Sequence, residues 1–214
     1  MTAVNPLQWR EPIGSVERLW FPPPPFENWA FVLQLAGATY LIDTGTAGFA
    51  QAMIERLNER GLRVDHILLT HHHPTHAANA PRVAEAFGAQ IWAHRDSAPL
   101  LGEAGVTVHR AFAGGDRLAG ELEVIDAPGH APGNVAFYWP HERVLFAGDV
   151  VMGLGPSDEK PLCLGGPHPG ATGADVKADA AKLLQYSMAV CLPAHGRAVL
   201  KEPRTVIRAL VGEE

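Results

Sequence analysis

From Thr70 to His76 the chain reads Thr-His-His-His-Pro-Thr-His, which places four histidines within six residues. Imidazole is the commonest metal ligand near neutral pH. The stretch follows directly on Val64 to Leu69, an apolar run that reads as a strand. In extended backbone His71 and His73 point to one side and His72 to the other. His71 and His73 therefore converge, and His76, from the next turn, reaches a neighbouring position. Four imidazoles this close repel one another when protonated unless a metal or solvent accounts for them, and a solvated histidine-rich loop is the plain alternative.

Three further segments have the same form, an apolar strand that ends in a turn of small residues carrying one ligand-type side chain. They are Ala127-Pro128-Gly129-His130-Ala131-Pro132-Gly133, Phe146-Ala147-Gly148-Asp149 and Leu192-Pro193-Ala194-His195-Gly196. Glycine and proline fix such turns and let backbones approach closely, so a ligand is held without packing around it. Strand ends are also where α/β proteins place their sites.

The elements that must position these residues follow from periodicity. Ser15 to Trp20, Ala30 to Leu35 and Thr39 to Ile42 read as strands, and Phe21 to Phe26, with its four prolines, as a stiff loop and pocket wall. Ala50, Met53, Ile54 and Leu57 form the apolar stripe of a helix that stops at Gly61. Val64 to Leu69 is strand, Ala77 to Phe87 helix and Gln90 to Ala93 strand, a rhythm of helices covering a sheet. Further on, Leu122 to Ile125, Val135 to Tyr138 and Arg143 to Phe146 are the clearest strands. Gly153 to Gly173 is a glycine- and proline-dense loop, long enough to suggest a functional border to the site. A helix with Val176, Ala180, Leu183 and Leu184 on one face, a strand over Ala189 to Leu192 and a helix carrying Val206, Ile207 and Leu210 complete the chain.

Composition bounds the rest. The 214 residues are 47% hydrophobic and 19% charged, with no seam between halves, which points to a single globular domain over residues 1–214. A net charge of −6 without any Lys/Arg run argues against nucleic acid as a partner and leaves a small-molecule substrate. No apolar run reaches membrane-spanning length, and Met1 to Gly14 lacks the apolar core of a signal peptide. With only two cysteines, Cys163 and Cys191, the expected compartment is the reducing cytoplasm. Oligomeric state leaves no mark in the sequence.

Taken together, Asp43-Thr44-Gly45, the His71/His73/His76 motif, the Pro-Gly-His130-Ala-Pro-Gly turn, Gly148-Asp149 and Ala194-His195-Gly196 resemble the metallo-β-lactamase superfamily, in family order over most of the chain. Its glyoxalase-II-like and lactonase-like hydrolases are the nearest branches. The resemblance implies an α/β fold, a four-layer α-β-β-α sandwich. It also implies that His71, His73 and His130 bind one metal, that Asp149 bridges, and that His76 and His195 bind a second. Zinc, as one or two ions, is the expected cofactor, and iron and manganese suit the same donors. Such a metal lowers the pKa of bound water toward neutrality and polarises a carbonyl, which is hydrolysis of a small ester, thioester or lactone.

One position departs from the family pattern. Thr75 stands where an aspartate normally precedes the last histidine, so Asp149 and Thr75 are the residues on which catalysis turns. A neutral hydroxyl is a weak donor to a divalent ion. The second metal position is thereby depleted, or is completed by another residue, for which His168 is the candidate. Two rival readings follow: a mononuclear iron oxygenase of the persulfide dioxygenase type, with His71, His130 and Asp149 as triad, and a non-catalytic metal-binding descendant. Asp43 is expected to brace the ligand loops. Cys191 reads as a buried thiol, and Cys163 as a loop residue that lines a pocket or packs inertly. His66, His94, His109 and His141 read as surface or satisfied core residues, and Trp29 and Phe26 as the lip of a cleft or ordinary packing.

Overall fold

Apolar strands build a meander before any helix appears. In the computed structural model, which describes residues 7–22, 27–167 and 175–212, strands β1 (Gln8–Ile13), β2 (Val16–Phe21), β3 (Asn28–Leu35) and β4 (Ala38–Ile42) pair antiparallel in succession. The chain then crosses over through α1 (Ala50–Glu59) to β5 (His66–Leu69), which lies parallel to β4. Helices α2 (Pro74–Ala77) and α3 (Ala80–Phe87) lead to β6 (Gln90–His94), parallel to β5, and α4 (Ala98–Glu103) precedes β7 (Arg110–Phe112), which closes a seven-stranded sheet. Parallel neighbours require such crossovers, and the helices bury their apolar stripes: Met53 and Leu57 of α1 and Val83 and Phe87 of α3 share a core with Ile67 and Leu69.

A second sheet, in the order β14-β11-β10-β9-β8, contains β8 (Arg117–Leu118), β9 (Leu122–Asp126), β10 (Val135–Trp139), β11 (Val144–Gly148) and β14 (Val190–Pro193). Two short strands, β12 (Val151–Met152) and β13 (Cys163–Leu164), pair separately. Helix α5 (Val176–Lys182) runs into a 3₁₀ turn (Leu183–Gln185), and α6 (Pro203–Val211) ends the described chain. Ala180, Leu183 and Ile207 pack with Leu145, Ala147 and Cys191 in this half's own core. The chain divides into two compact units, residues 1–93 with 98–111, and residues 94–97 with 112–214.

Several boundaries differ from the sequence reading for physical reasons. The helix expected over Ala77 to Phe87 is broken at Ala78 and Asn79, because the Asn79 amide donates to the carbonyls of Thr44 (2.7 Å) and Thr46 (2.8 Å) instead of facing solvent. The stretch expected as loop from Gly153 contains β13, held by its pairing with β12. Helix α4 has only Leu101 fully buried and β1 contains Pro12, so neither carries a periodic signal. Pro23 to Phe26 of the proline run lie outside the described residues, as does His168. No described helix is long and apolar enough to cross a membrane.

Candidate metal centre

In the first unit, β4 and β5 run parallel, so the turns that follow them leave from one sheet edge. Asp43 begins one turn and His71 the other. Asp43 adopts a left-handed backbone (φ 57°), which an aspartate tolerates better than most residues. Its buried carboxylate accepts three hydrogen bonds: from the Thr70 N–H (2.8 Å), the Thr70 hydroxyl (2.8 Å) and Nδ1 of His76 (2.8 Å). A carboxylate can only accept here, so Nδ1 of His76 carries the hydrogen and Nε2 is left as the donor atom. The Thr70 hydroxyl, having given its hydrogen to Asp43, accepts from Nδ1 of His71 (3.1 Å), which frees Nε2 of His71 in the same way.

His71 and His73 meet as extended backbone predicts, with Nε2 of His71 2.9 Å from Nδ1 of His73. The rings of His71 and His76 lie 4.0 Å apart between centroids. Two nitrogens bound tetrahedrally to one zinc at 2.0–2.1 Å stand about 3.3 Å apart. The donor set of this unit therefore fits a metal, with all three imidazoles buried. His72, half-buried, stacks edge-on to His73 at 4.8 Å between ring centroids. Thr75 lies inside α2, where its carbonyl accepts from the Asn28 amide (2.6 Å), and this ties the helix to β3.

In the second unit β9 and β11 are both antiparallel to β10, and β14 is parallel to β11. The C-terminal ends of β9, β11 and β14 thus share one edge, and they carry His130, Asp149 and His195. A register shift between Phe146 and Gly148 bends β11 just before Asp149, as a bulge does when it re-aims a side chain. Oδ2 of Asp149 lies 3.5 Å from Nε2 of His130 and 3.6 Å from Nε2 of His195, spacings that also suit donors sharing an ion. Nδ1 of His130 donates to the Gly166 carbonyl (2.6 Å), so this histidine too presents Nε2. Gly166 lies in the glycine-rich loop expected to border the site.

The second unit holds its turns by close backbone approach. Gly129 donates its N–H to Oδ2 of Asp179 (2.6 Å), and a Cβ at this position would lie 2.8 Å from both that oxygen and the Val176 nitrogen. On the other side of His130, the Ser97 hydroxyl meets the carbonyls of Pro132 (2.9 Å) and Gly133 (3.1 Å). Gly153 donates to the His195 carbonyl (2.8 Å) and has no room for a Cβ, which would fall 2.1 Å from the Arg197 nitrogen. Sequence reasoning passed over Asp179 and Asn79. An acidic residue in a first helical turn and an asparagine between helices are ordinary capping residues, and nothing local marks them as braces.

The remaining residues read from sequence have structural surroundings. Cys191 is fully buried on β14, and burial pushes its thiol up to about 12. Cys163 is half-buried and lines a cavity of about 470 Å³ with Leu162, Val206 and Leu210. His66 packs against Tyr40 and Trp92, and burial lowers its pKa. Nε2 of His94 lies 3.2 Å from a carboxylate oxygen of Asp126, and this contact holds the Asp126 carboxyl below its ordinary range. Trp29 is buried, with the Arg18 guanidinium 5.0 Å from its ring.

Comparison with known proteins gives concordant results. The family model of the metallo-beta-lactamase superfamily matches residues 23–195. A hydroxyacylglutathione hydrolase of Jannaschia sp. (strain CCS1) is 37% identical over 134 residues, 60% of this chain and 50% of the relative. The chain thus spans about half the length of the curated relatives it matches. The metallo-beta-lactamase FIM-1 from Pseudomonas aeruginosa, crystallised in its mono-zinc form, superposes with a TM-score of 0.78 at 17% identity, covering 97% of this chain and 96% of that one. A metallo-beta-lactamase family protein from Thermus thermophilus superposes with a TM-score of 0.68 at 26% identity, covering 94% of this chain and 79% of that one. The fold is the one these structures share, the α/β sandwich implied by the five ordered motifs.

Proposed function

Because the chain belongs to the metallo-beta-lactamase superfamily, we propose that it is a metal-dependent hydrolase acting on a small ester, thioester or lactone. In this reading His71, His73 and His130 would hold the principal ion, with Asp149 as the shared carboxylate, and His76 and His195 would serve a second position. A divalent ion there, zinc in the first instance, supplies Lewis acidity toward a carbonyl and a water that ionises near neutral pH.

The observation that carries the proposal is the commitment of the ring nitrogens. His76 gives Nδ1 to Asp43 and His130 gives Nδ1 to the Gly166 carbonyl, the outer partners that fix metal-binding histidines in one tautomer. Asp149, 3.5 Å from Nε2 of His130 and 3.6 Å from Nε2 of His195, would share an ion with them. Thr75 contributes a hydroxyl rather than a charge, so the second position binds its ion less tightly than a carboxylate would allow. The curated relatives are hydroxyacylglutathione hydrolases, which makes a hydroxyacylglutathione thioester the first substrate to try.

Two measurements on one preparation test this, made without a histidine tag: metal per chain by elemental analysis, for the native chain and Thr75→Asp, and hydrolysis of a hydroxyacylglutathione thioester, a simple ester and a lactone. The expected result is about one zinc in the native chain, rising toward two in Thr75→Asp, with turnover of at least one substrate. One iron in both, with oxygen uptake on a persulfide, replaces the hydrolase by the oxygenase suggested by the neutral Thr75. Absence of metal from both proteins overturns the catalytic reading.

A further inference from the structure

A second concavity, within the second unit, has a charge opposite to that of the chain as a whole. Around a cleft of about 690 Å³ stand Arg143, Lys201, Arg204 and Arg208, with Glu202 as the only carboxylate among the described lining residues. The full chain carries a net charge of −6, so four cations converging on one cleft run against the composition. None of the four forms an ion pair among the described residues.

Two of the guanidiniums are held in place. Arg143 donates through Nε to the Ser187 carbonyl (2.9 Å) and through an Nη to the Ser187 hydroxyl (3.2 Å), and Arg204 donates to the Leu184 carbonyl (2.8 Å). Each has further N–H groups, and a fixed fork loses less entropy when it binds an anion. Arg143 and Glu202 both adopt left-handed backbone, at φ 54° and φ 50°. For side chains of this size that conformation costs free energy and concentrates at functional positions. The cleft is also lined by the first turn of α6, where Pro203 at the start has no N–H and those of Arg204 and Thr205 have no intrahelical acceptor. Backbone donors at the positive end of a helix add to the four side-chain charges.

We propose that this cleft is a binding site, separate from the metal ligands, for a small phosphate-bearing anion with more than one negative group. Three of its four cations are arginines, whose planar forks match phosphate oxygens in pairs, and the concave shape suits a compact ligand rather than an extended polymer. The inference does not depend on the hydrolase reading, since none of its residues is a proposed metal ligand.

The test is calorimetric titration of the metal-loaded full chain with inorganic pyrophosphate at low and at moderate salt, with tricarballylate as the carboxylate counterpart. Lys201→Glu/Arg208→Glu reverses the two cations whose side chains make no hydrogen bond among the described residues, and Lys201→Gln/Arg208→Gln serves if the reversal disturbs folding. The expected result is one pyrophosphate per chain, weakened by salt, with Kd raised about tenfold or more in the reversed variant. Metal content and melting temperature stay unchanged in that variant. Undiminished binding in the variant assigns the anion to the metal centre and overturns the proposal, as does no binding at millimolar pyrophosphate. Tricarballylate binding as tightly as pyrophosphate overturns the phosphate assignment.

Discussion

The two ligand clusters solve one positioning problem by different means. In the first unit His71, His73 and His76 are neighbours in sequence, and side chains hold them: the Asp43 carboxylate gathers Thr70 and His76, and the Asn79 amide pins the Thr44–Thr46 turn. In the second unit His130, Asp149 and His195 come from three distant turns, and close backbone approach at Gly129 and Gly153 holds them. A contiguous motif needs only its rotamers and tautomers set. A dispersed one needs its turns brought to fixed places, which calls for residues without a Cβ and for remote acceptors.

That contrast can be broken from either side. The largest effect is expected for Asp43→Ala, which leaves the Thr70 N–H, the Thr70 hydroxyl and Nδ1 of His76 buried without their acceptor. A loss of about 3 kcal/mol or more in chemical denaturation is expected, together with weakened metal retention. Asp43→Asn, which tolerates the same left-handed backbone, recovers part of both. If Asp43→Ala unfolds at the native denaturant midpoint, the side-chain bracing of the first cluster is refuted.

Gly129→Ala comes next, because its methyl group meets the backbone nitrogen of Val176 as well as Asp179 and something must move. Overpacking of this kind costs about 1–3 kcal/mol, and the displaced turn is expected to weaken metal binding through His130 while the Asp43 cluster keeps its geometry. Metal affinity by competition with a chelator separates this from a purely global loss. Asp179→Ala should have a smaller effect of about 1–2 kcal/mol, by removing the acceptor of the Gly129 N–H, with Asp179→Asn intermediate. If Asp179→Ala leaves metal affinity native, Asp179 is a helix residue and not a brace.

The smallest effect concerns pH. The Asp126 carboxyl, on the strand leading to His130, is held below its ordinary 3.8 by its close contact with His94. A depressed folded-state pKa contributes stability above the unfolded value, lost as pH falls through the folded one. The half-exposed position keeps the contribution small. Asp126→Asn is expected to lower the melting temperature slightly at pH 6, with the difference from the native chain closing as the pH falls below about 4. A difference that grows toward acid has the wrong sign for this pair.

The sequence by itself determined which side chains are available and in what local order. The four-histidine stretch after an apolar strand, and three small-residue turns after three others, named every proposed ligand, and the strand reading placed His71 and His73 on one side. The apolar stripes of α1 and α6 were also legible, because burial of one helical face repeats every three to four residues. What only the tertiary structure decided is how those side chains are oriented. Asp43 meets His76 from 33 residues away, Gly166 meets His130 from 36, and Asp179 meets Gly129 from 50. Each is a single hydrogen bond between chemically ordinary groups. Such bonds add no period and no composition to the chain, and the bond that fixes a tautomer exists only once strands distant in sequence end at the same sheet edge.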